Sequence, residues 1–193
     1  MLDANQAHIA LAIDGHEALD TPYRFDLELV GERPDLDLES LLNRPAWLTF
    51  GAAGQGVHGI VHRAAPGDSG QHLTRDHLSL VPRLAYLAQR SNQRIFQHLT
   101  VPQILARVLE EHGILDGDGL RFQLGADYPE RDYCVQYAES DLHFVQRLCE
   151  EEGIHYAAIV SGLLALVRLA QLSWAWLASI LGAGAITGAL AAS

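Results

Sequence analysis

Arg131-Asp132-Tyr133-Cys134-Val135-Gln136-Tyr137-Ala138-Glu139-Ser140-Asp141-Leu142-His143-Phe144-Val145-Gln146-Arg147-Leu148-Cys149-Glu150-Glu151-Glu152-Gly153-Ile154-His155-Tyr156 sets a strand, a capped helix and a helix stop into one short run. Residues 131–137 alternate well enough for a strand. Ser140 is placed to cap a helix, and Asp141 suits the positive helix end. Leu142, Val145, Leu148 and Cys149 then recur at helical spacing, and Gly153 supplies a left-handed stop. Just upstream, Thr100 caps a second helix over roughly 101–112, with Pro102 in its first turn. Val101, Ile104, Leu105, Val108 and Leu109 form its apolar stripe, and Gly113 ends it.

Residues 1–92 have a different grammar. In Tyr23-Arg24-Phe25-Asp26-Leu27-Glu28-Leu29 the apolar members alternate with charged ones, which places Tyr23, Phe25, Leu27 and Leu29 on one strand face. Pro22 suits a strand start. Residues 46–50, 57–64 and 72–81 are further strand candidates, and 36–42 a short helix. Gly51, Gly54, Gly56, Pro66, Gly67 and Gly70 mark turns between them. Short strands separated by turns predict an antiparallel barrel or sandwich. The aromatics Tyr23, Phe25, Phe50, Phe96, Phe122, Tyr137 and Phe144 are expected in cores.

Residues 157–193 change again. They hold one charge, Arg168; all 24 acidic residues and the other Arg lie before them. The stretch 169–190 is almost wholly apolar and long enough to span a hydrocarbon core of about 30 Å. Gly184 and Gly188 give one weak helix-pairing spacing. Trp174 and Trp176 lie inside the stretch, whereas interface anchors favour its ends. Ala and Leu dominate, which predicts helix.

Composition narrows the function. The net charge of -11 offers no basic stripe to a nucleic-acid backbone. All 13 basic residues are Arg, as GC-rich coding would produce. Two cysteines, Cys134 and Cys149, are too few for a disulfide scaffold and read as small buried hydrophobes, with a bridge between them left open by spacing alone. The N-terminus shows no signal-peptide pattern.

Candidate chemistry is thin. On a strand, His58 and His62 lie about 13 Å apart, too far to share one ion. His72 and His77 face opposite ways, and His112 suits a helix C-terminus. Glu150, Glu151 and Glu152 read as a solvated acidic turn or a subunit contact. Glu139 and Asp141 read as helix-end charges or partners for Arg147 or Arg131. Ser140 lacks a visible His partner, and no nucleophile elbow or phosphate loop appears. No metal, cofactor or catalytic residue is expected; a small hydrolase would instead require His58, His62 or Ser140.

These motifs carry a resemblance. Thr21-Pro22-Tyr23-Arg24-Phe25, Gly59-Ile60-Val61, Pro82-Arg83-Leu84, Arg94-Ile95-Phe96-Gln97, Val101-Pro102 with Ile104, and Glu111-His112-Gly113-Ile114 precede the long block. Gln136-Tyr137, Glu139-Ser140-Asp141 and Glu151-Glu152-Gly153-Ile154 complete it. In this order they resemble the N-terminal part of VgrG, the valine-glycine-repeat spike family of type VI secretion, and the hub of contractile phage tails. The resemblance covers about residues 1–156 and implies an α+β fold. A tail-hub-like antiparallel β-barrel (1–92) would precede a small α/β unit (93–156) and an apolar, helical tail (157–193). It implies structural signature residues Arg94, Phe96, Tyr137, Glu139, Asp141, Phe144, Arg147 and Gly153, no enzymatic step and no cofactor. The implied partners are two further copies in a trimer, the hexameric tube protein and possible effector cargo. Assembly would be cytoplasmic, with secretion as part of the apparatus. After Tyr156 the family's second barrel and needle do not follow. The tail is therefore expected to be a frameshifted or truncation-derived continuation. The alternative is a membrane-anchored accessory protein of the inner membrane, held by residues 169–190.

Overall fold

The computed structural model describes residues 9–31, 37–50, 55–69, 73–115, 120–124, 126–158 and 164–167. Its contacts divide into two units, Met1–Ala85 and Tyr86–Ser193.

The first unit is one antiparallel sheet. Its strands are β1 (Ile9–Ala18), β2 (Thr21–Gly31), β3 (Pro45–Phe50), β4 (Gln55–Ser69) and β5 (Thr74–Val81), and the short helix α1 (Leu38–Leu41) precedes β3. The order β1-β2-β5-β4-β3 leaves β1 and β3 as edges among the described residues, a curled half-barrel where the sequence reading expected a tail-hub-like antiparallel β-barrel. Closure needs pairing between distant edges, which strand periodicity does not encode. The alternation read in β2 holds: Tyr23, Leu27 and Leu29 are buried and Phe25 is half-buried. With Leu41, Leu48, Val61, Leu78 and Leu80 these leucines form the core of the sheet. The buried Tyr23 hydroxyl donates to the His58 carbonyl. Strand β4 runs through Pro66 and Gly67, which read as turn residues. The register shifts between Pro66 and Ser69, and such an irregularity accommodates a residue without an amide donor.

The second unit mixes strands and helices. A 3-10 segment, Arg83–Gln89, leads to β6 (Ser91–Phe96) and α2 (Val101–Glu111). Then come β7 (Leu120–Gln123), β8 (Cys134–Ser140), α3 (Asp141–Glu152), β9 (His155–Ala158) and β10 (Leu164–Val167). Strands β6 and β8 pair antiparallel, and β10 lies between β7 and β9. Both helices carry the caps read from sequence. The Thr100 hydroxyl accepts from the Gln103 amide while the Gln103 side chain accepts from the Thr100 amide, a reciprocal capping box. The Ser140 hydroxyl accepts from the His143 amide at 3.1 Å. Val101, Ile104, Leu105, Val108 and Leu109 pack inward, together with Phe144, Val145, Leu148 and Cys149. Phe144 belongs to the α3 stripe in place of Leu142, which is only half-buried. Both cysteines are buried and unbridged. Strand β8 starts at Cys134; Arg131 makes only an isolated bridge to Leu99.

Two further expectations are corrected. Tyr137 is 74% exposed, outside any core. Residues 157–158 and 164–167 are strand, not helix, because they pair in register with each other and β10 also pairs with β7. Backbone pairing outweighs helix propensities of a few tenths of a kcal/mol per residue. The stretch 169–190 and its glycines and tryptophans lie outside the described residues. No helix among the described residues is long and apolar enough to cross a membrane.

Gly153 caps α3 with φ of +62° and open space around its α-carbon. Gly153→Ala therefore meets no clash and costs only the left-handed conformation. The expected loss is about 1–2 kcal/mol, read as a lower urea midpoint with unchanged m-value.

Candidate functional site

The densest polar construction in the second unit is centred on Asp141, the first residue of α3, whose side chain is fully buried. The α3 periodicity explains why: Asp141 falls on the same face as Phe144, Val145, Leu148 and Cys149. Its backbone amide donates to the Arg90 carbonyl at 2.9 Å. Its Oδ1 accepts from Arg94 Nη2 at 2.7 Å and Gln136 Nε2 at 2.8 Å. Its Oδ2 meets Arg90 Nε at 2.6 Å and His112 Nε2 at 2.8 Å. One carboxylate thus joins the segment before β6, β6 itself, the end of α2, β8 and α3.

The surrounding charges close the network. Arg94 Nη1 reaches both Glu111 oxygens at 2.7 and 2.8 Å, and Arg90 also bonds Glu111. Gln136 is fully buried; it accepts from Arg94 Nε at 2.9 Å and donates to the Glu139 carbonyl at 3.1 Å. Arg90 and Arg94 therefore face Asp141 and Glu111, which balances the buried charge.

A second set lies along α3. Arg147 Nη2 donates to Glu139 at 2.7 Å and to the Val135 carbonyl at 3.0 Å, while Nη1 reaches Glu151 at 2.8 Å. Arg131 holds Glu151 and Glu152 at 2.7 and 2.6 Å. Two of the three glutamates at the helix end are thus paired with arginines, while Glu150 stays exposed. Of the two pairings considered for Glu139 and Asp141, Arg147 takes Glu139, whereas Asp141 takes Arg90 and Arg94.

Burial pushes the Asp141 carboxyl up, but hydrogen bonds from His112, Gln136 and Arg90 and the Arg94 charge outweigh it and hold it below the ordinary aspartate range. For Glu139 burial again opposes, and Arg147 and His143 win; for Glu151, Arg131 and Arg147 do so. A carboxyl lowered on folding stabilises fully above its unfolded value and loses that contribution as pH falls through the folded one. Stability of the second unit is expected to hold at neutral pH and fall below about pH 4, as read by urea unfolding across pH 2–7.

The remaining signature residues have clear places. Phe96 and Phe144 stack at 5.7 Å with planes 13° apart. Arg94 lies over Phe96 at 5.6 Å and Arg147 over Phe144 at 5.3 Å. Tyr137 stands outside this assembly. His58 and His62 are exposed on β4, and among the described residues no cluster of three metal-ligating side chains occurs. His72 lies outside the described residues. Ser140 is engaged as a helix cap. A groove of about 460 Å³ in the first unit's sheet is lined by Arg24, Asp26, Arg63, His77 and Ser79, a mixed-charge wall.

Sequence reading missed Arg90, Glu111 and Gln136 as members of the network. Two signals were available: an aspartate on an apolar helix face, and a glutamine at an inward position of a strand beside Cys134. The arrangement is a rigid scaffold of paired charges around a stacked aromatic core.

The protein is similar to known spike and hub proteins. It is 65% identical over 165 residues to the type VI secretion system spike protein VgrG4b of Pseudomonas aeruginosa, covering 79% of this chain and 20% of the relative. It is 56% identical over 166 residues to VgrG5 of the same organism, covering 79% and 21%. The chain thus spans about a fifth of the length of these relatives. Its structure resembles that of the E. coli c3393 protein, a type VI secretion component similar to the T4 bacteriophage tail proteins gp27 and gp5. That match has a TM-score of 0.81 and 30% identity over 86% of this chain and 48% of the other. The family model for the phage tail baseplate hub (GPD) matches residues 16–161, and the chain belongs to that family.

Proposed function

We propose that this chain is a structural component of a type VI secretion spike. It supplies the first part of the hub, the half-barrel and the small α/β unit, where the spike meets the tip of the secretion tube. The identity of 65% to a spike protein over 165 residues carries this reading. In this role the protein assembles and bears load; it makes and breaks no bonds in a substrate. Residues 1–92 form the ring-building segment, and 93–156 the unit held by Asp141. The partners are two further copies of the chain and the hexameric tube protein, with effector cargo attached to the spike. Assembly takes place in the cytoplasm, and the spike leaves the cell with the apparatus.

The test is co-purification of the full chain with the tube protein, combined with sedimentation analysis. A trimer that binds tube hexamers supports the assignment. A monomer with no affinity for the tube at high micromolar concentration rejects it.

A further inference from the structure

One carboxylate of the first unit sits where an apolar side chain is expected. Along β5, Arg75 and His77 are exposed while Thr74, Asp76, Leu78 and Leu80 are buried, so Asp76 shares the inward face with the core leucines. It is 7% exposed. The register sets Leu29 of β2 and Pro66 of β4 opposite it, and neither side chain carries a donor. The neighbouring Thr74 hydroxyl donates to the Gly31 carbonyl at 3.2 Å. Among the described residues Asp76 has no hydrogen bond or ion pair, whereas Asp26 holds Arg24 and Ser79, and Asp141 holds four groups. A buried carboxylate without a partner is costly, and a cation offsets that cost. Access exists: Pro66 beside it is exposed, and neither Asp76 oxygen is sealed from the surface.

The same unit carries the complementary charge. Arg83, just past β5, is exposed between buried Pro82 and Leu84, which hold its backbone in place. The unit's other described arginines are engaged. Arg24 pairs with Asp26, Arg75 with Glu28 and Arg44 with the Ser40 carbonyl, and Arg63 lies near enough to Asp26 to help lower its carboxyl. Arg83 has no such partner among the described residues. Its guanidinium stays charged at any working pH. Asp76 and Val81 lie about 17 Å apart along the strand, so Arg83 beyond Val81 does not fold back onto Asp76 of its own copy. An acceptor near one end of a strand and a donor past the other suit a contact between copies, because closed rings of three join one patch to a different one.

We propose that Asp76 receives the Arg83 guanidinium of a second copy, a head-to-tail ion pair repeated around the trimer. The inference rests on the trimeric spike reading and adds the residues that hold neighbouring copies together. The pair forms at the rim of an apolar core, where the low local dielectric strengthens it. Assembly thereby compensates a charge that the isolated chain leaves unpaired.

The test is sedimentation of the full chain across a concentration series, with binding to the tube protein measured in parallel. Asp76→Asn and Arg83→Gln should each weaken assembly at least about tenfold per contact, and Arg83→Lys by less, since it keeps the charge. The double variant Asp76→Asn with Arg83→Gln should be no weaker than either single variant, because each already breaks the same pair. At dilutions where the chain is monomeric, Asp76→Asn should leave the unfolding midpoint unchanged or raise it, since it removes an uncompensated charge. A lowered midpoint would make Asp76 a residue of the fold and overturn the proposal. The proposal is also overturned if the parent assembles and either single variant assembles as the parent does, the carboxylate then being only hydrated, or if the two losses add in full in the double variant. A parent that binds the tube but stays monomeric overturns it and leaves the spike reading standing; a parent that does neither rejects both.

Discussion

Asp141→Asn is expected to cost about 3–5 kcal/mol, the range found when one member of a buried charge pair is removed. That is a large share of a domain's usual margin of about 5–15 kcal/mol. The substitution changes little in shape but replaces one carboxylate oxygen with a donor. Asp141 accepts from Arg94 and Gln136 on one oxygen and meets Arg90 and His112 on the other. Whichever way the amide turns, two of these groups face an NH2. Arg90 and Arg94 are then left with Glu111 as their shared anion. Urea unfolding of the full chain, with amide exchange across β6, β8 and α3, reads the loss. The variant should also lose part of its acid sensitivity, since the lowered carboxyl no longer titrates. A loss below about 1 kcal/mol would show that the network contributes little net stability, the result typical of exposed ion pairs.

Phe144→Ala should cost a similar ~3–5 kcal/mol by a different mechanism. The ring is fully buried, stacks on Phe96, and lies under the Arg147 guanidinium. Its removal opens a cavity beside α2 and α3 and strips the aromatic platform from Arg147. Because no titrating group is lost, the deficit should be nearly constant between pH 5 and 8. Equal deficits at neutral pH with different slopes in acid distinguish the two variants. A deficit in Phe144→Ala that grows steeply in acid would mean that the aromatic pair acts mainly by positioning Arg147.

Much of the local structure was legible because it rests on short-range physics. The 3.6-residue stripe of Val101, Ile104, Leu105, Val108 and Leu109, the Thr100 and Ser140 caps and the Gly153 stop all involve residues within one or two helical turns. The β2 alternation is equally local. Asp141 was read as a helix-end charge because its arginine partners lie 47 and 51 residues upstream. Tyr137 was assigned to a core because strand alternation does not say which face is buried. That depends on which side α3 covers.

By itself the sequence determined the two capped helices, the β2 face and, through its ordered motifs, membership of the hub family. Tertiary structure alone decided four things: that the sheet is an open half-barrel among the described residues, that Asp141 gathers Arg90, Arg94, His112 and Gln136, that Tyr137 faces outward, and that residues 164–167 form a strand. The reason is common to all four. Each depends on which distant backbone or charge arrives alongside, and local propensities of tenths of a kcal/mol give way to pairings and burial worth several.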